Sequence, residues 1–294
     1  MLIKPIHFDR FKCIAHRCPD TCCAGWEIDV DADTADFYAS LEGDSGKFVR
    51  EKLIYTPEGS KLCLEGERCR FLRDDNLCEL ILRLGDGALC DICREHPRFY
   101  TECGNLTAAG MGICCPEAAR LWLCESCELV FEDDGYAPSE QEKLAVERLA
   151  KIIEHTVHGE GTLGERLCGF MPDGPTSDRV YGELLRTYRD LEVMDRQFPA
   201  RFSDSAVTVS ERRYVNLAAY FIFRYYFSLG EEMTIKFTAA SLIMIAAMGG
   251  ELEISSKDYS KEVEYDTDNV GRICELLDGL EGLPDITRRT LVCR

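Results

Sequence analysis

Cysteines are the residues of this chain whose type and spacing point most directly to chemistry. The sequence has 294 residues and 17 cysteines, 14 of which fall between residues 13 and 127. Eleven of these 14 form two groups, the run Cys13-x4-Cys18-x3-Cys22-Cys23 and the scattered cysteines of the stretch Cys69–Pro116. Within the second group, Cys90-x2-Cys93 has the spacing of a zinc knuckle or an iron–sulfur loop. We interpret the two groups together as one metal-binding unit.

Two features favour metal ligands over disulfides. The N-terminal residues lack the apolar run of a signal peptide, so we expect a cytoplasmic protein, and disulfides do not persist in that reducing compartment. An odd number of cysteines in a chain of this length also opposes a secreted disulfide scaffold. The segment Cys13–Trp26 holds little apolar surface, so thiolate–metal bonds would replace the missing core there. The metal would be zinc or an iron–sulfur cluster.

Several side chains near the cysteines have more than one possible role. Adjacent side chains diverge, so Cys22 and Cys23 either serve one polynuclear cluster or belong to two sites. His96 is a further candidate ligand, although a hydrogen-bonded histidine is the more common case. Arg94 and Arg98 flank an extended corner that Pro97 imposes. They either offset thiolate charge or grip a carboxylate or phosphate through a bidentate fork.

Composition and motifs exclude several classes of function. The formal net charge is −19, so we expect neither nucleic acid nor an anionic membrane surface as a partner, because both need clustered Lys and Arg. The longest apolar stretch, Phe237–Met248, is too short to span a bilayer. The sequence has no G-x-G-x-x-G after a strand, no P-loop and no G-x-S-x-G elbow, so no nucleotide fold or serine hydrolase is indicated.

The elements that would position the N-terminal cysteines are short. Alternation predicts a strand at Glu27–Val30, and Asp31 or Asp33 can cap a helix to about Leu41. A second short helix is expected at Phe48–Tyr55, followed by a turn at 56–60. A tight turn should present Cys69 and Cys78 on one side, before a helix that ends at Gly85. A further helix should start at Pro116 and carry Cys124 and Cys127 as small core residues on one face.

The second half of the chain reads as helices. The segment Phe131–Pro138 interrupts the helical pattern, and we place the domain boundary there. We predict a mainly α fold, with a cysteine-rich metal-binding domain of few short strands at 1–130 and a helical domain at 131–294. Ser139 should cap a helix. The apolar and aromatic row of 214–229 predicts a helix buried nearly all round, packed against 235–248. A last helix is expected at 258–277.

The cysteine motifs together resemble a known family. They are Phe-Lys-Cys13, then Cys18-Pro-Asp-Thr-Cys22-Cys23-x-Gly-Trp26, then Cys69-x-Phe-Leu with Leu-Cys78, then Cys93-Arg-x-x-Pro-Arg98, then Cys115-Pro-Glu-Ala-Ala-Arg120. Their order and spacing across residues 8–121 are similar to those of flagellin lysine-N-methylases of the FliB type. The aromatic segment from Tyr214 also resembles the C-terminal helix of that family. The N-terminal half further resembles a broader family of zinc- or iron-chelating cysteine proteins.

The resemblance implies an enzyme, a protein-lysine N-methyltransferase that uses S-adenosylmethionine to methylate lysines of flagellin or a related protein in the cytoplasm. It also implies a cysteine-bound metal centre, expected to be a 4Fe-4S cluster, with zinc as the alternative. Eight cysteines match the family pattern as metal ligands: Cys13, Cys18, Cys22, Cys23, Cys69, Cys78, Cys93 and Cys115. Cys90 or Cys114 could substitute for a neighbour.

From their position beside the cysteines, we expect Arg94 and Arg98 to bind the cofactor carboxylate, and Trp26 and Tyr100 to stack near it. No catalytic residue is assigned. Two other functions use the same residues: a zinc-stabilised protein-interaction module without enzymatic activity, and a redox protein built on Cys90-x2-Cys93, which lacks the expected β-α-β setting.

Overall fold

The structure, a computed structural model, describes residues 1–133, 135 and 137–294. Its helices are α1 (Ala32–Ser40), α2 (Gly43–Arg50), α3 (Glu79–Leu84), α4 (Asp91–Glu95), α5 (Pro116–Cys124), α6 (Glu140–His158), α7 (Leu163–Cys168), α8 (Val180–Arg189), α9 (Arg213–Leu229), α10 (Glu231–Met248), α11 (Leu252–Tyr259), α12 (Thr267–Asp278) and α13 (Leu283–Thr290). Its strands are β1 (Leu2–Pro5), β2 (Asp29–Val30), β3 (Leu53–Thr56), β4 (Gly59–Leu62), β5 (Leu64–Glu65), β6 (Arg68–Cys69), β7 (Arg98–Cys103), β8 (Leu106–Met111) and β9 (Leu129–Glu132). Helices dominate, as predicted.

The chain divides into two compact units. One is Lys12–Arg98, and the other combines Met1–Phe11 with Phe99–Arg294. The predicted boundary after residue 130 thus falls within the larger unit, and separate folding of 1–130 and 131–294 stays a prediction. The predicted break at 131–138 includes residues 134 and 136, which lie outside the described residues.

The smaller unit is built from short elements around a small core. β2, β4 and β3 form an antiparallel sheet in that order, and β5 pairs with β6. The Asp31 side chain accepts a hydrogen bond from the Thr34 amide and caps α1, as predicted. Tyr38 on α1 is 1% exposed and its hydroxyl donates to the Ala88 carbonyl at 2.6 Å. This bond ties α1 to the segment before α4.

The predicted helix at Phe48–Tyr55 is wrong in its second half. α2 ends at Arg50, and the chain continues as β3, which pairs with β4 from Leu53↔Leu62 to Thr56↔Gly59. The predicted turn at 56–60 is the reason, because it closes a two-residue hairpin whose ladder satisfies the backbone of Ile54 and Tyr55, residue types that favour strands.

The larger unit combines a four-stranded sheet with a helical core. The sheet has the order β7-β8-β1-β9, in which β1 runs parallel to β8 and antiparallel to β9. α9 and α10 form the centre of the core, with the Tyr225 and Phe237 rings 4.7 Å apart. This confirms the predicted packing of 214–229 against 235–248. In the part of the chain that the structure describes, no helix is both long and apolar enough to cross a membrane.

Three further helix predictions had different outcomes. Ser139 and Glu142 form a reciprocal capping box at the start of α6, as predicted. The helix predicted at 258–277 is confirmed only in its second part, as α12, because a π-helical turn at Ser260–Glu264 ends the preceding helix and the Asp266 side chain caps the next. It is also not the last helix, since α13 follows. α5 starts at Pro116 as predicted but ends at Cys124, so Cys127 lies beyond it, buried in the core, while Cys124 is exposed.

Candidate metal and cofactor site

All 17 cysteines are described by the structure, and each is a free thiol. Five of them belong to the core of the smaller unit. Cys69 and Cys90 are 5% and 1% exposed, and Cys23, Cys78 and Cys93 pack against the same core. Thiols from segments up to 70 residues apart in sequence thus meet in one small volume.

Backbone contacts bring these five cysteines together. The Cys69 amide donates to the Cys23 carbonyl at 2.8 Å, which joins the N-terminal loop to β6. Cys78 directly precedes α3, after a tight turn in which Asn76 has a φ of 58°. Cys90 directly precedes α4, and Cys93 lies one turn later within it. The predicted turn between the 69 and 78 positions is confirmed.

The thiols influence one another electrostatically. A hydrogen bond from the Cys93 thiol lowers the pKa of Cys90 to about 7, and the same bond raises the pKa of Cys93, because one proton is shared between two sulfurs. A hydrogen bond with Cys22 lowers the pKa of Cys23 to about 7. Burial raises the pKa of Cys69 to about 11, and the charge of Cys23 adds to this shift. Thiolates that are stabilised by neighbouring thiols are suited to soft metals.

The arrangement supplies donors without a preformed coordination shell. Within residues 1–133, 135 and 137–294, no three His, Cys, Asp or Glu side chains are placed to hold one metal ion. Thiols are suitable donors for zinc or for an iron–sulfur cluster. The positions of the sulfur atoms do not define which of the two would be bound. A ligand set for this site stays a prediction.

The predicted metal ligands are only partly brought together. Four of the eight lie in the five-thiol cluster: Cys23, Cys69, Cys78 and Cys93. Three lie on the N-terminal loop of the same unit, where Cys13 and Cys22 are exposed and Cys18 is half-buried. Cys115 directly precedes α5 and belongs to the larger unit. Cys90, expected only as a possible substitute for a neighbouring ligand, also lies in the cluster, and its Cys-x2-Cys spacing with Cys93 is the sequence signal for this position.

Three of the predicted cofactor residues lie in the smaller unit. Arg94 forms an ion pair with Asp91, and its Nη1 donates to the Leu89 carbonyl at 3.1 Å. The Trp26 indole donates to the Cys22 carbonyl at 2.7 Å, and its ring lies 6.1 Å from that of His96. Arg98 is half-buried at the start of β7.

Tyr100 lies in the larger unit and is 51% exposed. Its ring is 6.4 Å from that of Phe8. A cofactor site formed by Arg94, Arg98, Trp26 and Tyr100 stays a prediction.

The chain therefore consists of a small cysteine-rich unit and a larger, mainly helical unit. Comparison with known proteins finds matches to part of the chain. Over 121 residues, or 39% of the chain, it is 29% identical to a lysine-N-methylase of Salmonella typhimurium. Over the same length it is 28% identical to the flagellar biosynthetic protein FliU of Salmonella muenchen and to a lysine-N-methylase of Salmonella choleraesuis.

These matches confirm the predicted resemblance: over 39% of its length the chain is distantly similar to lysine-N-methylases and to FliU. It spans 30% of the length of the two lysine-N-methylases and 72% of FliU. No protein-family profile matches the chain. No solved structure matches it either.

Proposed function

We propose that this protein methylates lysine side chains of flagellin or of another protein with surface lysines, with S-adenosylmethionine as the methyl donor. The observation that carries the proposal is the sequence similarity to two lysine-N-methylases and to a flagellar biosynthetic protein. The convergence of Cys23, Cys69, Cys78 and Cys93 in one unit adds support, since these four cysteines belong to the motifs that carry the resemblance. We place the reaction in the cytoplasm.

The reaction moves a methyl group from a sulfonium to an amine. The lysine ammonium first loses a proton to a base, the neutral nitrogen then attacks the methyl carbon, and the carbon–sulfur bond breaks to leave S-adenosylhomocysteine. The protein must therefore align the amine with the methyl group and accept a proton. A metal centre would be held by thiols of the five-cysteine cluster, and when bound it would either anchor the amino and carboxylate groups of the cofactor or stabilise the fold.

The proposal is tested with protein purified without oxygen. Metal and sulfide content would be measured first, and transfer of labelled methyl from S-adenosylmethionine to flagellin of the same source would follow. Flagellin whose lysines are chemically blocked serves as the control substrate. We expect label only on unblocked flagellin. Cys93→Ala should lose metal, whereas Cys124→Ala, a matched change at an exposed cysteine outside the cluster, should keep both metal and activity.

One observation favours a second candidate, a zinc-stabilised interaction module without enzymatic activity. Cys69 and Cys90 are almost completely buried, so an ion bound to them would be closed to substrate, as in structural zinc sites. A colourless protein with stoichiometric zinc and no methyl transfer would support this module. A brown protein that contains iron and sulfide and labels flagellin would exclude it.

A further inference from the structure

The four-stranded sheet of the larger unit has an outer edge at β9. The strand order β7-β8-β1-β9 places this strand, Leu129–Glu132, at one end of the sheet, and no strand in the described part of the chain pairs with its outer side. Edge strands usually carry Lys, Pro or a bulge that prevents further pairing. β9 reads Leu-Val-Phe-Glu and has neither Lys nor Pro. Its outer side therefore keeps a row of backbone groups that another chain can use.

The register with β1 identifies these backbone groups. Pro5 lies opposite Leu129 and has no N–H to donate, whereas the Ile6 amide donates to the Glu128 carbonyl at 2.8 Å. Hydrogen-bonded and non-bonded pairs alternate in an antiparallel ladder, so the even-numbered residues from 128 to 132 bond to β1. The N–H and C=O groups of Leu129 and Phe131 therefore point away from β1.

These outward groups are open to a partner. Among residues 1–133, 135 and 137–294, neither Leu129 nor Phe131 has a backbone hydrogen bond outside the pairing of β9 with β1. Phe131 is also 47% exposed. The edge thus offers both hydrogen-bonding groups and an apolar ring to an extended chain.

Acidic side chains flank the edge on one face. Side chains alternate along a strand, so Glu128, Val130 and Glu132 share a face. Glu128 is exposed and, in the part of the chain that the structure describes, forms no ion pair. Glu132 is 48% exposed and shares the Lys4 ammonium with Asp9. One ammonium between two carboxylates leaves a net negative charge, so both ends of this face attract cations.

The same charges oppose pairing with a second copy of this chain. Two β9 strands paired antiparallel about Val130 would set Glu128 of each copy opposite Glu132 of the other. Like charges directly opposite each other destabilise a sheet, and the net charge of −19 on each chain adds repulsion at longer range. The complementary occupant of this edge is therefore a basic segment of a different protein.

We propose that β9 binds an extended, lysine-containing segment of another protein, which joins the sheet as an additional strand. The outward backbone groups of Leu129 and Phe131 supply the hydrogen bonds, as in other cases of peptide recognition by strand addition. Neighbours on one face of a strand lie two residues apart, so lysines at positions i and i+4 face Glu128 and Glu132, with an apolar residue at i+2 opposite Val130. If the proposed function holds, on which the identity of the partner rests, this segment belongs to the protein substrate.

Fluorescence anisotropy with the anaerobically purified full chain measures this binding without turnover. The probe is a labelled synthetic peptide that repeats Lys-Thr-Val-Thr and ends in lysine. One control peptide has the same composition with its lysines adjacent, and the other has the probe sequence with every backbone amide N-methylated. The wild type should bind the N-methylated peptide about 10- to 100-fold more weakly than the probe, because the ladder hydrogen bonds are lost. The rearranged peptide should also bind more weakly.

A charge reversal beside β9 tests the protein side of the contact. Glu128→Lys should weaken binding of the probe about 5- to 20-fold, since an opposite-charge pair becomes a like-charge pair. Glu147→Lys is the matched control, because it makes the same change at an exposed carboxylate of α6, and it should keep the wild-type affinity. If Glu128→Lys does not fold, Glu128→Gln decides, with a smaller loss of affinity expected.

The outcomes separate the two proposals. Equal affinity for the probe and either control peptide overturns this inference, and so does an equal effect of Glu128→Lys and Glu147→Lys. A wild-type dimer that Glu128→Lys strengthens would show that a second copy covers the edge, and this result overturns the inference too. Flagellin that is methylated by a protein unable to bind the probe leaves the proposed function standing alone. Specific binding of the probe without methyl transfer overturns the proposed function and leaves the docking strand.

Discussion

Replacement of Glu264 by glutamine removes a fully buried charge of the larger unit and keeps the shape of the side chain. The Tyr220 and Tyr225 hydroxyls lie 3.0 Å from the carboxylate oxygens of Glu264, and Arg224 Nε lies 2.9 Å from one of them. An amide can still accept a hydrogen bond from Tyr220 or Tyr225, but it no longer balances Arg224. Loss of one partner of a buried ion pair costs about 3–5 kcal/mol, because the other charge is left uncompensated. Since Arg224 is 19% exposed, solvent relieves part of this cost. We therefore expect the lower end, about 3 kcal/mol.

The assay is urea unfolding followed by circular dichroism, together with thermal unfolding. For a domain of about 150–250 residues, each kcal/mol lowers the midpoint by roughly 2–4 °C, so Glu264→Gln should lose about 6–12 °C. Glu253→Gln is the matched control. Glu253 lies on α11 and pairs with Arg213, which is on the same helix α9 as Arg224. The Glu253 and Arg213 side chains are 37% and 36% exposed. Exposed pairs contribute at most about 1 kcal/mol.

Two results would refute this reasoning. One is an equal, small effect of Glu264→Gln and Glu253→Gln, which would mean that the Glu264 site is as well solvated as the surface pair. The other concerns the double variant Arg224→Met, Glu264→Gln, which leaves no charge in the cluster. It should be more stable than Glu264→Gln alone, and a further loss of stability would show that packing, not charge, decides the effect.

Three further changes have defined outcomes. Tyr38→Phe removes a buried hydroxyl that donates to a backbone carbonyl at 2.6 Å. It should lower the free energy of unfolding in urea by about 1–2 kcal/mol; an unchanged value would mean that water hydrates this carbonyl in the variant. Gly110→Ala places a methyl group against the Phe99 ring and should cost about 1–3 kcal/mol by overpacking, with a melting temperature at the wild-type value as the contrary result. Backbone hydrogen bonds from Asn105 and Ser139 hold the pKa of Glu142 below its usual value. Its contribution is therefore present above the unfolded pKa and is lost as pH falls through the folded pKa, so Glu142→Gln should lose stability at neutral pH and match the wild type in acid. An equal deficit at both pH values would contradict this.

Local patterns were sufficient wherever the deciding contact lies within a few residues. Asp31 caps α1 through an amide three residues away, and Ser139 forms its capping box over the same distance. The apolar row of α9 likewise indicated a helix buried on most sides, because 3.6-residue periodicity is a property of the segment itself. For the same reason the turn before Cys78 could be predicted from its own residues.

The four-stranded sheet was missed because its contacts are distant in sequence. β1 is only four residues long and pairs with β8 at Leu2↔Thr107 and with β9 at Leu2↔Glu132. Nothing in the short run Leu2–Pro5 distinguishes a central strand from a loop. The strand β3 was mistaken for helix because its pairing with β4, not its periodicity, determines its conformation.

The amino-acid sequence by itself determined that cysteines are concentrated in the first half of the chain, that the chain is mainly helical, and that it resembles the FliB-type lysine-N-methylases. These properties follow from residue type and spacing along the chain. Only the tertiary structure decided which thiols meet, since a backbone hydrogen bond joins Cys69 to Cys23 and core packing adds Cys90 from a segment far away in sequence. It also decided that Arg224 is paired with a buried carboxylate, because Glu264 lies 40 residues further along the chain in a turn of irregular helix.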